Sequence, residues 1–242
     1  MRSGGESLSQ SGLEERLRAV GHERYHDKHP FNQRMHAGEL TRAEVQDWAR
    51  NRFYYQICLP GKDALIVAKL PTREDRREWL QRIIDQDGRH GGEGGIESWV
   101  RLGEAVGVSR VELFDDRTVL PGVRFAVDAY VNFCRLRPWL EAVAASLTEL
   151  FTPDLLSRRI AAMEAHYPWV DPEGMDYFRG RLTQQPRDVG HGLGLVLEHA
   201  RTSQEQDSCV RALEFKCDVL WALLDAIESA HLGDPPVGTR EG

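Results

Sequence analysis

A repeated spacing of three and four residues between apolar side chains is the feature of this sequence that most restricts its fold. Near the C-terminal end the apolar positions are Val210, Leu213, Cys217, Leu220, Leu224 and Ile227. This spacing places the six side chains on one face of an α-helix and is typical of a helix packed against a core. No segment shows the convincing period-two alternation of a half-buried strand. The sequence therefore predicts an all-α protein.

The same periodicity, read with the residues that start and stop helices, predicts helices along most of the chain. The starting signals are Thr41 with Glu44, Ser203 with Gln206, Thr72 with Asp75, Pro138 and Pro153, and the stopping signals are Gly88 and Gly107. The predicted helices are 10–20, 41–59, 61–69, 72–87, 95–106, 121–136, 138–151, 153–166, 173–184, 186–201 and 203–230, with a short turn at 109–114. Residues 1–9 and 232–242 are predicted to be flexible tails, so residues 10–231 form a single helical domain.

Composition narrows the function classes. The chain has 242 residues and a formal net charge of −7, which argues against a nucleic-acid binder because such proteins normally present a basic surface. No apolar run is long enough for a membrane span or a signal peptide. The four cysteines form no Cys-x-x-Cys pair and are typical of reduced core residues. We expect a cytoplasmic protein that binds neither nucleic acid nor membrane.

Cations occupy positions that should face the core in the predicted helix 41–59. Its apolar face includes Arg52, and the same spacing reaches Lys62 beyond Pro60 and Gly61. Burying an unpaired cation costs several kcal/mol, so each of these two residues needs an anion.

Three more cations lie on or beside apolar helix faces. Arg181 is one turn from Tyr177, and Arg82 is one turn before Gln86. Lys216 flanks the apolar face of the last helix, a position that on its own is typical of a lysine whose stem covers apolar surface while its ammonium group reaches water.

Two interpretations of the five cations remain open at this point. They could form internal salt bridges, with Glu149, Asp85 or Asp128 as partners. They could also line a pocket for a small, planar ligand that carries several carboxylates, since Arg and Lys bind carboxylates and aromatic rings pack on planar ligands. The pocket explains all five together with the accompanying hydroxyl-bearing aromatics Tyr55, Tyr130 and Tyr177, and we favour it.

The glycine-rich stretch RIIDQDGRHGGEGG at 82–95 fits neither a calcium loop nor a phosphate-binding loop. If Gly88 were the turn glycine of an EF-hand, the first ligand would be Ile83 and the bidentate glutamate would be Gly94. No Gly-Lys-Ser/Thr follows the glycines, which excludes a P-loop. The stretch is interpreted as a pocket wall followed by a glycine-rich rim.

Cofactor and nucleophile motifs are also missing from the sequence. A di-iron bundle needs two Glu-x-x-His motifs inside helices, but Glu23–His26 lies at a predicted helix end and Glu228–His231 lies at the end of the last helix. There is no Gly-x-Gly-x-x-Gly after a strand and no nucleophile elbow. We predict no metal and no organic cofactor.

Several long segments resemble one known family, the PqqC family of pyrroloquinoline-quinone (PQQ) synthases. The similarity extends from about Arg24 to Ala230, and the segments that carry it are NRFYYQICLPGKDALI, EGGIESWVRLGEAVGVSR, LPGVRFAVDAYVNF, ASLTELFTP, HYPWV, YFRGRL, RDVGHGL and FKCDVLWALLDA. The resemblance implies a homodimer with a haem-oxygenase-like, TenA-like fold of about seven main helices. It implies the last step of PQQ biosynthesis, in which a bicyclic precursor with several carboxylates is closed and oxidised by O2, releasing hydrogen peroxide without a cofactor. It also raises a PqqD-like carrier protein as a partner.

The resemblance assigns site residues as well. Substrate-binding positions would be Arg52, Tyr55, Gln56, Lys62, Arg82, Gln86, Tyr130, Thr148 and Arg159, and catalytic positions would be His26, Glu149, Tyr177, Arg181 and Lys216. Tyr177 and Arg181 would belong to a helix that closes over the ligand, and Lys216 would shape the site for O2 or peroxide. His26 and Glu149 would transfer protons or orient groups.

This chain departs from the family pattern at two positions. Gln86 stands where members commonly carry a histidine that resembles an active-site base, and Leu156 stands where many carry a second pocket histidine. Glutamine cannot titrate, so it cannot act as a general base. We therefore expect His26 to supply that base. The alternatives are a catalytically impaired PQQ-binding or carrier homologue, and a TenA-like hydrolase of thiamin degradation products, which would need a reactive cysteine in the pocket.

Overall fold

The computed structural model describes residues 6–89 and 93–231, and every regular element in these ranges is helical. The α-helices are α1 (Gln10–Arg24), α2 (Pro30–Ala37), α3 (Arg42–Val67), α4 (Arg73–Asp87), α5 (Gly95–Ala105), α6 (Arg110–Phe114), α7 (Pro121–Leu136), α8 (Trp139–Ala145), α9 (Thr152–His166), α10 (Asp176–His199) and α11 (Ser203–His231). Short 3₁₀ helices occupy His26–Lys28, Asp116–Thr118, Ser146–Phe151 and Pro172–Met175. The all-α prediction is confirmed.

The described ranges contain eleven α-helices, not about seven as expected. Seven of them have 15 or more residues: α1, α3, α4, α7, α9, α10 and α11. The expected number left out short helices such as α2, which the sequence patterns did not predict. His29 caps α2, Pro30 occupies its first turn, and Gly38 ends it with a φ of 75°.

Two proline positions predicted to divide helices do not do so. α3 continues through Pro60 and α10 continues through Pro186. Each proline removes one backbone N–H, so the carbonyl of the residue four positions earlier loses its helical donor. The packing of α3 on α4, α5 and α7, and of α10 on α5, α8 and α9, outweighs that loss.

Most predicted helix boundaries are confirmed. Thr41 and Glu44 form the expected capping box, and Gly88 and Gly107 follow α4 and α5 with φ of 85° and 88°. The capping box predicted at Ser203 is wrong by one residue, because Thr202 and Glu205 exchange the capping hydrogen bonds instead. The Thr202 N–H donates to Glu205 Oε2 at 2.9 Å, and the Glu205 N–H donates to Thr202 Oγ1 at 3.2 Å.

Gln206, predicted to cap that helix, instead holds the chain near its N-terminus. Its side-chain amide accepts from the Leu8 N–H at 2.8 Å and donates to the Leu8 carbonyl at 2.9 Å. Of the two predicted tails, residues 1–5 and 232–242 lie outside the described residues. In the described ranges, no helix is both long and apolar enough to cross a membrane.

The core surrounds α3, which packs against α4, α5, α7 and α11. Its largest fully buried side chains include Trp48, Trp79 and Trp99. The rings of Trp48 and Trp99 lie 5.4 Å apart between centroids. This apolar layer holds α3 in place along most of its length, so the polar side chains on its other face have fixed positions.

Candidate functional site

A cavity that opens to solvent lies between α3, α4, α7, α9, α10 and the 3₁₀ helix Ser146–Phe151. Thirteen of the fourteen side chains assigned to the site by resemblance line it: His26, Arg52, Tyr55, Gln56, Lys62, Arg82, Gln86, Tyr130, Thr148, Glu149, Arg159, Tyr177 and Arg181. Lys216 does not line the cavity. The fold thus brings together residues that are up to 155 positions apart in the sequence. Their place in the lining does not show which of them take part in a reaction.

α3 supplies the longest row of cavity side chains. Arg52, Tyr55, Gln56, Leu59 and Lys62 follow one another at steps of one or three residues, which keeps them on one helical face. The continuity of α3 through its proline is what allows the row to reach its last member.

Three cavity cations have internal anionic partners, so the salt-bridge interpretation holds for them. Lys62 Nζ lies 2.6 Å from Asp63 Oδ1, and Arg82 Nη1 lies 2.6 Å from Glu149 Oε2. Arg181 Nη2 lies 3.4 Å from the other oxygen of Glu149. Burial alone would raise the pKa of the Glu149 carboxyl, but Arg82, Arg181 and Lys62 together lower it below its usual value.

The other two carboxylates proposed as partners of the cations, Asp85 and Asp128, contact different residues. Asp85 pairs with Arg187 at the outer end of α4. Asp128 accepts a hydrogen bond from the Tyr54 hydroxyl at 2.7 Å.

Arg52 and Arg159 form no ion pair with any carboxylate of the described residues. Arg52 Nη1 and Arg159 Nε are buried and have no hydrogen-bond partner there. The Arg52 guanidinium lies over the Tyr55 ring at 3.8 Å. Burial, followed by repulsion from Arg52, lowers the pKa of Arg159 to about 10. Two guanidinium groups thus face the same cavity, and each has an N–H donor without a partner among the described residues.

Lys216 lies behind the cavity wall, between two tyrosine rings. Its Nζ is 3.6 Å from the centroid of Tyr130 and 4.2 Å from that of Tyr55, and the two rings are nearly parallel. It donates a hydrogen bond to the Tyr55 hydroxyl at 2.8 Å. Burial, and then repulsion from Arg52 and Lys62, lowers the pKa of Lys216 well below its usual value. Its hydrogen-bond partner Tyr55 does line the cavity and so connects Lys216 to it.

Gln86 lies in the cavity wall one turn after Arg82. Its side chain is buried, and its Oε1 has no hydrogen-bond partner among the described residues. A side chain at Gly95 would overlap this oxygen, so the glycine allows α5 to begin close beside the amide. The wall predicted for this stretch is present, while residues 90–92 of the predicted rim lie outside the described residues.

Ten further residues line the cavity but were not predicted as site residues from the sequence: Tyr25, Leu59, Asp63, Trp99, Ser146, Thr152, Leu155, Phe178, Asp188 and Leu220. Leu156, identified above only as a departure from the family pattern, also lines the cavity. Asp188 is the most informative of the missed residues, because it follows Arg181 by seven positions and so shares its helical face. That spacing was hidden by the break assumed at Pro186.

The Asp188 carboxyl is buried, with one oxygen 2.6 Å from Arg187 and the other, Oδ2, without a partner in the described ranges. Its backbone carbonyl accepts from Arg82 Nη2 at 2.6 Å. Burial raises the pKa of Asp188, and the nearby Glu149 raises it further, against the opposing effect of Arg82.

The fold is shared with solved structures of low sequence similarity. A domain of unknown function with a haem oxygenase-like fold from Shewanella denitrificans has a TM-score of 0.77 and 13% identity, covering 93% of this chain and 94% of its own. A TenA homologue from Pseudomonas syringae has a TM-score of 0.69 and 14% identity, covering 93% and 98%. The expected haem-oxygenase-like fold is thereby confirmed.

Residues 14–226 match the model of the TENA/THI-4/PQQC family, so the chain belongs to this family. Within it, the chain is 52% identical over 234 residues to the pyrroloquinoline-quinone synthase of Ectopseudomonas mendocina, covering 96% of this chain and 93% of that protein. It is 51% identical over 235 residues to the pyrroloquinoline-quinone synthase of Klebsiella pneumoniae strain 342, covering 97% and 93%. The resemblance to PQQ synthases inferred from the quoted segments is confirmed.

Proposed function

We propose that this protein is a PQQ synthase that catalyses the last step of PQQ biosynthesis. A bicyclic precursor with several carboxylates would undergo ring closure and stepwise oxidation in the cavity, with each two-electron oxidation reducing one O2 to H2O2. The protein would need neither a metal nor an organic cofactor. The observation that carries the proposal is a pair of buried guanidinium donors, on Arg52 and Arg159, that have no anion among the described residues, in a chain about half identical to PQQ synthases.

The charge balance of the cavity supports a polycarboxylate ligand. In the part of the chain that the structure describes, its lining contains five cations and three anions: Arg52, Lys62, Arg82, Arg159 and Arg181 against Asp63, Glu149 and Asp188. The excess of two positive charges in a buried site favours an anion that brings its own carboxylates. The rings of Tyr55 and Tyr130, with Trp99, offer flat apolar surface to the fused rings of the ligand.

The two walls of the cavity would contribute differently to the reaction. Tyr177 and Arg181, carried by α10, would cover the ligand and exclude water, with Tyr177 oriented by its 3.0 Å hydrogen bond to Gln56. Glu149 would hold Arg82 and Arg181 in position rather than take a proton, because both arginines favour its ionised form. Lys216 would act through the hydroxyl of Tyr55 on the part of the cavity where O2 is reduced.

A PQQ-binding or carrier protein is the second candidate, and Gln86 is the observation that favours it. The amide can hydrogen-bond the ligand but cannot take up a proton. The TenA-like hydrolase is less well supported: Cys58, Cys134, Cys209 and Cys217 are all absent from the cavity lining. Burial also raises the pKa of all four thiols, which opposes formation of the thiolate nucleophile.

Anaerobic mixing with the precursor, followed by a pulse of O2, separates enzyme from binder. An enzyme shifts the ligand absorbance on mixing and then consumes O2 while PQQ and H2O2 appear. A binder gives only the first change. No absorbance change and no O2 consumption at any precursor concentration would refute both candidates.

The proposed assembly and surroundings follow the family. We propose a cytoplasmic homodimer that binds the small-molecule precursor and O2 and receives its precursor with the help of a PqqD-like carrier protein. Light scattering after size-exclusion chromatography tests the dimer: a mass of one chain across the micromolar range would contradict it.

A further inference from the structure

Asn32, on the short helix α2, connects two cavity residues through three hydrogen bonds. Its Oδ1 accepts from Arg159 Nη2 at 2.7 Å. Its Nδ2 donates to the backbone carbonyl of His26 at 2.7 Å and lies 2.9 Å from His26 Nδ1. Asn32 is fully buried and does not line the cavity.

The orientation of the Asn32 amide is fixed by two independent neighbours. A guanidinium can only donate, so the amide atom facing Arg159 must be the oxygen. A backbone carbonyl can only accept, so the amide atom facing the His26 carbonyl must be the nitrogen. Both neighbours require the same orientation.

This orientation determines which ring nitrogen of His26 carries the proton. The amide nitrogen has two hydrogens: one is used by the His26 carbonyl, and the other points at Nδ1. His26 Nδ1 must therefore accept, and in a neutral imidazole the proton then lies on Nε2. Nε2 has no hydrogen-bond partner among the described residues, and His26 lines the cavity.

The charges around His26 oppose a second proton. Cations face it from three elements, Arg52 on α3, Arg159 on α9 and Lys216 on α11, and Tyr25 and His29 lie beside it on its own segment. Burial, and then the three cations, lowers the pKa of His26 well below its usual value. The ring is therefore neutral at neutral pH, with Nδ1 accepting from Asn32 and the proton on Nε2 facing the cavity.

We propose that Asn32 is a positioning residue that holds His26 as the Nε2–H tautomer, so that His26 donates a hydrogen bond to an acceptor oxygen of the bound ligand and takes up no proton. The ligand oxygen would be a carboxylate or a ring carbonyl. The tautomer depends only on the geometry above, whereas its use in catalysis rests on the proposed function. In this proposal His26 does not supply the missing base that the sequence led us to expect there.

Nitrogen–proton correlation spectra of the full-length protein labelled in histidine test the tautomer directly, with His26→Gln used to assign the signal. We expect Nε2 of His26 to carry a proton and Nδ1 to carry none at neutral pH, and a second proton to bind only below the ordinary histidine pKa of about 6.5. An Nδ1–H tautomer or an imidazolium at neutral pH would overturn the proposal. The spectrum of the parent protein alone decides this, and no substitution at Asn32 is needed.

Asn32→Asp tests whether Asn32 determines the tautomer of His26. A carboxylate at this position accepts from Nδ1–H, so Nδ1 should become protonated. Gln33→Glu, which adds the same charge to the exposed side of α2, should leave the His26 signal unchanged. His29 is an internal reference, because its Nδ1 accepts from the Phe31 N–H and is not bonded to Asn32. An unprotonated Nδ1 in folded Asn32→Asp would overturn the role of Asn32, and if that variant does not fold, the parent spectrum still decides.

A pair of substitutions tests donor against base. His26→Gln keeps an N–H donor but cannot titrate, whereas His26→Leu keeps neither. If His26 is a donor, PQQ should bind His26→Gln about tenfold more tightly than His26→Leu, and single-turnover oxidation should follow the same order. Equal and complete loss of oxidation in both variants, with normal PQQ affinity in both, would overturn the donor role.

The tautomer and the proposed function can fail separately. If the parent neither binds PQQ nor oxidises the precursor, the proposed function fails, and the histidine spectra still report whether Asn32 sets the tautomer. If the parent is active but shows Nδ1–H, only the inference about Asn32 fails.

Discussion

Replacing Arg52 by methionine should have opposite effects on stability and on ligand binding. Arg52 has no carboxylate partner among the described residues, and one of its buried donors is unpaired. An unpaired buried donor destabilises the folded state by about 1–3 kcal/mol, whereas the contact of the guanidinium with the Tyr55 ring stabilises it by about 0.5–2 kcal/mol. Arg52→Met should therefore leave the free energy of unfolding of the ligand-free protein unchanged or raise it by about 1 kcal/mol, which is roughly 2–4 °C in Tm for a chain of this size.

Arg82→Met is the matched contrast on the same cavity. Arg82 holds Glu149 and the Asp188 carbonyl, so its removal leaves a carboxylate that is only 22% exposed with the longer contact to Arg181. Breaking a buried ion pair from one side typically costs about 3–5 kcal/mol. Arg18→Met, which removes an exposed ion pair with Glu14, should change stability by less than about 0.5 kcal/mol.

Thermal unfolding with and without PQQ gives both results in one assay. At PQQ equal to about 100 times the parent Kd, binding stabilises the parent by about 2.7 kcal/mol. A loss of about ten- to hundredfold in affinity reduces this to about 1.4–0.4 kcal/mol in Arg52→Met. The reasoning would be refuted if ligand-free Arg52→Met lost as much stability as Arg82→Met, or if PQQ stabilised it as much as the parent.

Three further predictions concern proton transfer and metal. Gln86→His should keep the fold and raise the single-turnover rate by about a hundredfold or more. If His26 is the proposed donor and not the base, His26→Gln should change the rate by the same factor in the parent and in the Gln86→His variant. Unequal factors would show that the two positions share one role. The folded-state pKa of His26 lies below its unfolded value of about 6.5, so the contribution of His26 to stability is full above that pH and is lost as the pH falls below it. In chemical unfolding, the free energy of unfolding of the parent should therefore fall by up to about 1.4 kcal/mol per pH unit more than that of His26→Gln in this range. Parallel pH profiles of the two proteins would contradict this. Protein purified with chelator should keep its oxidation rate, and recovery of activity only on adding iron or copper would contradict the absence of a metal requirement.

Helical spacing was sufficient to predict that Arg52 and Lys62 face inward, because a fixed period of 3.6 residues determines which side chains share a face. It could not determine what each cation meets there. Lys62 meets Asp63, a neighbour in sequence, whereas Arg52 meets no carboxylate in the described ranges. Pairing depends on the approach of other helices, and a single helical period contains no information about that.

The elements that sequence reasoning missed are those in which tertiary packing overrides a local signal. α2 has only eight residues and is held by its packing on α9, so no long apolar period marks it, and Asn32 was missed with it. The break assumed at Pro186 hid Asp188 for the same reason. Local rules about proline describe an isolated helix, and here neighbouring helices stabilise what the proline weakens.

The passage of α3 through Pro60 has a consequence for which ligands can be accepted. Arg52 and Lys62 are ten residues apart on one uninterrupted helix, so their Cα atoms are separated by about 15 Å along its axis. Because the helix is continuous between them, we expect this side of the cavity to keep its length and not to shorten around a smaller molecule. With the proposed ligand, adjustment would fall to the opposite wall, where α10 carries Tyr177, Arg181 and Asp188. We then expect selection by size and admission of the ligand to depend on different helices, so that a substitution that alters one need not alter the other.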